Sequence, residues 1–135
     1  MEYVHGRQDG QSREGAPGNF TGRAMMDAVL ADGDAETATV RMNSVFFSPG
    51  GRTYWHSHAD GQALLVSTGH GMIAARDGQR HDLRVGDAVW APPGEEHWHG
   101  AAPDAFMNHT AISLGETTWL EEVSAADYEA AFKER

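Results

Sequence analysis

The sequence predicts an all-β barrel or sandwich closed by one short C-terminal helix, and three observations carry that prediction. From about residue 20 onward, short runs rich in β-branched, aromatic and alternating residues recur roughly every 8–12 residues, separated by glycine-rich turns. Asp77-Gly78 lies between two such runs as a hairpin signal. Helical periodicity shows only at the C-terminus. A chain of 135 residues is one domain by length. At that size folding buries roughly two-thirds of the unfolded surface, so no covalent staple is required.

Residues 1–19 read as a flexible arm, because the stretch 5–19 is polar, rich in glycine and offers almost nothing to bury. Residues 20–135 then form the single folded domain. In the extended run 37–47, Val40, Met42, Ser44 and Phe46 share one face, while Arg41, Asn43, Val45 and Phe47 share the other. Ser48-Pro49-Gly50-Gly51 breaks the run. Strands are expected next at 53–58, 62–67, 71–76, 81–84, 88–91, 96–100 and 106–114. Ser124 caps the closing helix, with Asp127 three residues on, and Tyr128 and Phe132 fall on one face at i, i+4.

Composition removes several classes of function. Twenty acidic residues against ten basic ones give a formal net charge of −10, which repels a phosphate backbone and argues against nucleic acid as a partner. The absence of cysteine excludes disulfides, thiolate ligands and a cysteine nucleophile, leaving imidazole and oxygen as the strong metal donors. No secretory leader is recognised and no apolar run approaches the ~20 residues of a membrane span. The expected location is therefore the cytoplasm, with no membrane partner.

Chemistry concentrates in the histidines. His56-Ser-His58, with Gln62 close behind, and His97-Trp-His99 place four of the eight histidines in two His-X-His units. In a strand, residues i and i+2 share a face, so each unit aims two imidazoles at one point. Neutral imidazole is a general ligand for first-row divalent metals. The turn Ala59-Asp60-Gly61 lets the chain reverse so that Gln62 returns towards the first pair, and Pro92-Pro93-Gly94 sets the entry into the second. By the same period Met107, His109, Ala111 and Ser113 share a face, which lets His109 point inward. Trp55 and Trp98 alternate with the histidines and are expected on the opposite face, between sheets or at a dimer contact. His5, His70 and His81 stand alone and receive no role.

Two stretches resemble sequence motifs of the cupin superfamily. The first is Gly50-(five residues)-His56-Ser-His58-(three residues)-Gln62-(six residues)-Gly69. The second is Gly86-(five residues)-Pro92-X-Gly94-(two residues)-His97. The resemblance implies a double-stranded β-helix, or jelly-roll barrel, with His56, His58 and His97 as metal ligands and Gln62 at the place of the usual glutamate. Ala101 stands where the second motif usually closes on asparagine. Three imidazoles and a neutral amide leave the full +2 charge on a bound ion, favouring Lewis-acid chemistry over the two-histidine, one-carboxylate pattern of many iron oxygenases.

The wording around these motifs, Arg52-Thr-Tyr-Trp55-His-Ser-His58 and His109-Thr-Ala-Ile among it, resembles small bacterial cupins that include manganese-dependent hydroxynitrile lyases. These cleave or form cyanohydrins. That resemblance implies one divalent ion with manganese favoured, although His₃Gln also accommodates Fe, Zn, Ni, Co or Cu, and intrinsic affinity favours Cu and Zn. It implies His109 as a pocket base or hydrogen-bond donor and His99 as a second polar pocket residue. Asn43, Val45 and Ser113 fall at pocket positions, where Ser113 replaces an expected glutamine and Asn43 a small apolar residue. Phe47, Leu64, Val66 and Met107 are the expected apolar lining. Dioxygenase or oxidase, isomerase or cyclase, and non-catalytic small-molecule binding remain open beside the lyase reading. A homodimer is expected, because an exposed sheet edge needs covering.

Overall fold

The two-residue period is clearest between Met107 and Leu114, where Met107, His109, Ala111 and Ser113 are buried and the residues between them half-buried. One face of that strand looks into the interior of a curled sheet. In this computed structural model, which describes residues 1–34 and 37–133, the strands in chain order are β1 (Arg13–Glu14), β2 (Phe20–Thr21), β3 (Ala24–Ala31), β4 (Val40–Phe47), β5 (Arg52–Thr53) and β6 (His56–His58). There follow β7 (Gln62–Ala75), β8 (Arg80–Arg84), β9 (Ala88–Ala91), β10 (His97–Ala101), β11 (Met107–Leu114) and β12 (Thr117–Trp119), and the chain closes with α1 (Ala125–Lys133). The strands form a jelly-roll barrel in the order β1-β3-β4-β11-β7-β10-β5-β2, with β9 and β8 on β7, and β6 between β10 and β12.

The hinge of this barrel is β7, and here the sequence-based expectation of two strands, 62–67 and 71–76, needs correcting. The structure has one strand of 14 residues. Its first half pairs with β11 and β9, its second half with β10 and β8, so a single strand serves both sheets. Gly69, in the gap between the two expected strands, instead lets one strand bend: its φ is +82° and a Cβ there would meet the Phe106 carbonyl oxygen at 2.0 Å. Conversely, the expected strand 53–58 divides into β5 and β6, because Tyr54 donates its N–H to the Asn19 carbonyl and Trp55 to that of Glu121. Within residues 1–19, Arg13 and Glu14 pair with Met26 and Met25 of β3, and Gln8 donates to the Ala28 carbonyl.

Two apolar clusters hold the barrel. One fills its interior and includes Val45, Phe47, Leu64, Val66, Met107 and Ala111. The other lies outside β10, where Trp55, Met72 and Trp98 meet Val123, Tyr128, Ala131 and Phe132. Trp55 and Trp98 are therefore turned away from the histidines, as the pleat requires, and α1 covers them. Ser124 caps that helix by accepting from the Asp127 N–H at 3.0 Å. Tyr128 meets Phe132 edge to face and donates its hydroxyl to the Ala101 carbonyl at 2.6 Å, tying the helix to the end of β10.

Candidate metal centre and pocket

β6 and β10 run antiparallel with His56 directly opposite His97, which brings their ring centroids to 4.5 Å. His58 lies 5.0 Å from His56 and 5.8 Å from His97 by the same measure. Each of these rings is oriented through Nδ1. His56 Nδ1 is 2.8 Å from the Tyr54 carbonyl oxygen, His97 Nδ1 is 3.0 Å from that of Glu95, and His58 Nδ1 is 3.0 Å from the Thr117 hydroxyl. A carbonyl only accepts, so His56 and His97 carry their proton on Nδ1 and keep a lone pair on Nε2. His58 Nε2 is buried without a partner meeting hydrogen-bond geometry.

Gln62, at the start of β7, completes the group. Its Nε2 donates to Ser113 Oγ at 3.0 Å, which turns Oε1 towards His97 Nε2 at 3.1 Å. With His97 neutral, that contact sets an acceptor against an acceptor. Burial favours the neutral ring: it lowers the pKa of His97, with the Glu95 carbonyl opposing. His58 is held at about 4 by burial, then by the charges of His97 and Arg41. Burial, reinforced by His97, pushes His56 well below the ordinary range. Two facing lone pairs in a buried site are relieved by a cation placed between them. The donor set therefore fits a divalent metal.

His99 and His109 form a second, deeper pair. His109 Nε2 and His99 Nδ1 are 3.1 Å apart, whereas His99 Nε2 and His109 Nδ1 are buried without a hydrogen-bond partner. Burial holds His109 at about 4, and burial together with His109 drives His99 well below its ordinary value. The candidate ligand atoms of His56, His97 and His99 lie within 4.8 Å of one another, so a histidine group close enough to share an ion reaches past the motif ligands to His99.

A cavity of about 230 Å³ opens onto this layer, walled by His56, His58, Gln62 and His99. Asn43, Val45 and Ser113 line it, at the positions expected from sequence. Phe47, Leu64, Val66 and Met107 do not: they sit in the interior cluster, where barrel strands pack their inward side chains solid. His109 is likewise behind the wall, between Phe47 and His99 with ring centroids 5.5 and 4.8 Å away. Residues the sequence reading missed complete the cavity. Arg41 shares the face of Asn43 and Val45 on β4, a parity readable in advance, while Thr117 and Trp119 come from β12, which carried no strand signal. Trp119 lies over His56 at 4.7 Å.

The relatives agree with this architecture. Residues 43–107 match the cupin domain family model. Over 113 residues the chain is 40% identical to (R)-mandelonitrile lyase from Granulicella tundricola, covering 81% of this chain and 85% of that protein. A cupin-like protein from Thermotoga maritima superposes with a TM-score of 0.85 at 34% identity, over 94% of this chain and 98% of its own. The polyketide cyclase RemF from Streptomyces resistomycificus shares the fold at a TM-score of 0.67 and 23% identity, over 96% of this chain and 91% of its own. No helix among the described residues is long and apolar enough to cross a membrane. A jelly-roll barrel matched along most of the chain by such relatives supports one conclusion: this protein belongs to the cupin family.

Proposed function

We propose that the protein is a metal-dependent carbon–carbon lyase acting on a small oxygenated molecule, in the sharpest form a cyanohydrin, with His56, His58, Gln62 and His97 holding one divalent ion. The observation that carries this is the opposed pair of acceptors, Gln62 Oε1 and His97 Nε2, 3.1 Å apart in a layer of neutral imidazoles. Likeness to (R)-mandelonitrile lyase over most of the chain supports the choice of reaction. The ion, with manganese favoured, supplies Lewis acidity, undiminished because none of the four donors is charged.

The chain's own residues do the rest. Ser113 holds the Gln62 amide and Thr117 the His58 ring. His99 walls the cavity with a neutral ring, so its Nε2 is the base that takes the hydroxyl proton of the substrate. The C–CN bond then breaks, its electron pair leaves on cyanide, and the same proton converts cyanide to hydrogen cyanide beside the aldehyde. His109 positions His99 through the Nε2–Nδ1 hydrogen bond and does not touch the substrate. The test adds mandelonitrile to manganese-loaded protein and follows benzaldehyde. Release is expected, with loss in His56→Ala and a fall of about 10²–10⁴-fold in His99→Ala, the usual worth of a general base. Benzaldehyde release no greater than in the His56→Ala control sinks the proposal.

A further inference from the structure

We infer that the molecules this cavity is built to take carry a carboxylate or similarly compact anionic group, received by Arg41 and Arg13. The inference rests on the cavity being the substrate site and narrows the class of substrate. Acidic residues outnumber basic ones two to one in this chain, 20 to 10, yet the charged side chains lining the cavity are Arg13 and Arg41, with no aspartate or glutamate among the described residues there.

Arg41 is held in place without being neutralised. It donates through Nη1 to the Ala38 carbonyl and through Nη2 to the Gly115 carbonyl, two of its five donors, and forms no ion pair among the described residues. Its charge is thus fixed at one end of the wall that continues through Asn43 and Val45 on the same face of β4. Arg13, on β1, pairs through its backbone with Met26 and lines the same cavity, and its exposed side chain makes neither a hydrogen bond nor an ion pair among the described residues. Asp34 lines an adjoining hollow that shares Arg13, Arg41 and Asn43, and its single charge offsets one arginine at most.

Phe20, Met26 and Trp119 give the cavity an apolar side suited to a small hydrocarbon body. At about 230 Å³ it lies below the 300–1,000 Å³ of drug-sized sites, so the guest is small. A guanidinium recognises a planar carboxylate through paired charge-assisted hydrogen bonds, which a neutral nitrile or alcohol cannot match. A small acid that also carries the hydroxyl required by the proposed reaction fits the two walls together.

Benzoate and benzamide, alike in shape and different in charge, test this by calorimetric titration into both metal-stripped and metal-loaded protein. Benzoate is expected to bind at least about tenfold more tightly in both states, the scale of one charge-assisted hydrogen bond. Arg41→Gln and Arg13→Gln should each reduce that ratio and together erase it, leaving benzamide affinity unchanged. Arg13→Gln removes no side-chain hydrogen bond or ion pair among the described residues, and Arg41→Lys keeps the charge, so a loss through misfolding is separable. Benzoate binding no tighter than benzamide, a preference confined to metal-loaded protein, or a ratio that survives the double variant each overturns the inference. Mandelonitrile turnover in the same preparations keeps the two proposals apart. Turnover with no charge preference sinks this one alone, whereas a preserved preference without turnover sinks only the lyase reaction.

Discussion

A single hydroxyl shows how much of this site lies outside the four motif residues. Thr117 Oγ1, 3.0 Å from His58 Nδ1, orients the one motif histidine whose Nδ1 is not met by a carbonyl. Partners of this kind typically change metal affinity by about 10–100-fold when removed. Thr117→Val should therefore weaken binding by about that factor in a chelator competition, with the fold intact because Thr117 is half-buried at the barrel rim. Unchanged affinity would show that packing alone sets the His58 ring. The histidines and Gln62 were legible in the sequence because their spacing is local, two residues within a strand or one short turn. The Thr117–His58, Arg41–Gly115 and Gln62–Ser113 contacts were not, since each joins residues 51 to 74 positions apart.

Among the elements, β7 decides the shape of the barrel, and two glycines test how. Gly69 combines a left-handed backbone with the Phe106 carbonyl at 2.0 Å from any added Cβ. Gly78, in the turn between β7 and β8, has a similar φ of +92° and nothing within 4 Å. Gly78→Ala should cost about 1–2 kcal/mol, the backbone term alone. Gly69→Ala adds a clash with backbone that cannot swing aside, and about 3 kcal/mol or more is expected. Urea denaturation of the pair measures the difference, and equal losses would mean that β7 shifts to absorb the clash. The sequence pattern left a gap at 68–70 between two expected strands, where glycine weakens a strand locally. Pairing on both sides, with β11 before the bend and β10 after it, keeps the strand continuous.

At the scale of the whole molecule, a barrel lined with neutral imidazoles is sensitive to acid. His58 and His109 fall from an ordinary 6.5 to about 4 in the folded protein, and burial is the first cause for both. As pH drops, the unfolded chain takes up these protons before the folded one does, so folding loses stability between pH 6.5 and about 4 and keeps it above 6.5. Chelator-treated protein should show a melting temperature that is flat above pH 7 and declines across that window by scanning calorimetry. His109→Asn should soften the decline. A level profile from pH 7 to 4 would mean that the imidazoles titrate without resistance from the fold.

By itself the sequence determined the all-β class, the capped helix, the outward turn of Trp55 and Trp98, and the residues that make the histidine layer. Each follows from a period of two or 3.6 residues or from a turn, which a chain carries within a few positions. Only the tertiary structure decided that β6 faces β10, bringing His56 opposite His97, and that His99 rather than His109 walls the cavity. It also decided which inward residues pack as core and which are left facing a space, for strands closing into a barrel present the same parity at every level. The charge of the cavity is of that second kind: a chain of net charge −10 placed two arginines and, among the described residues, no carboxylate around it, which composition would not have suggested.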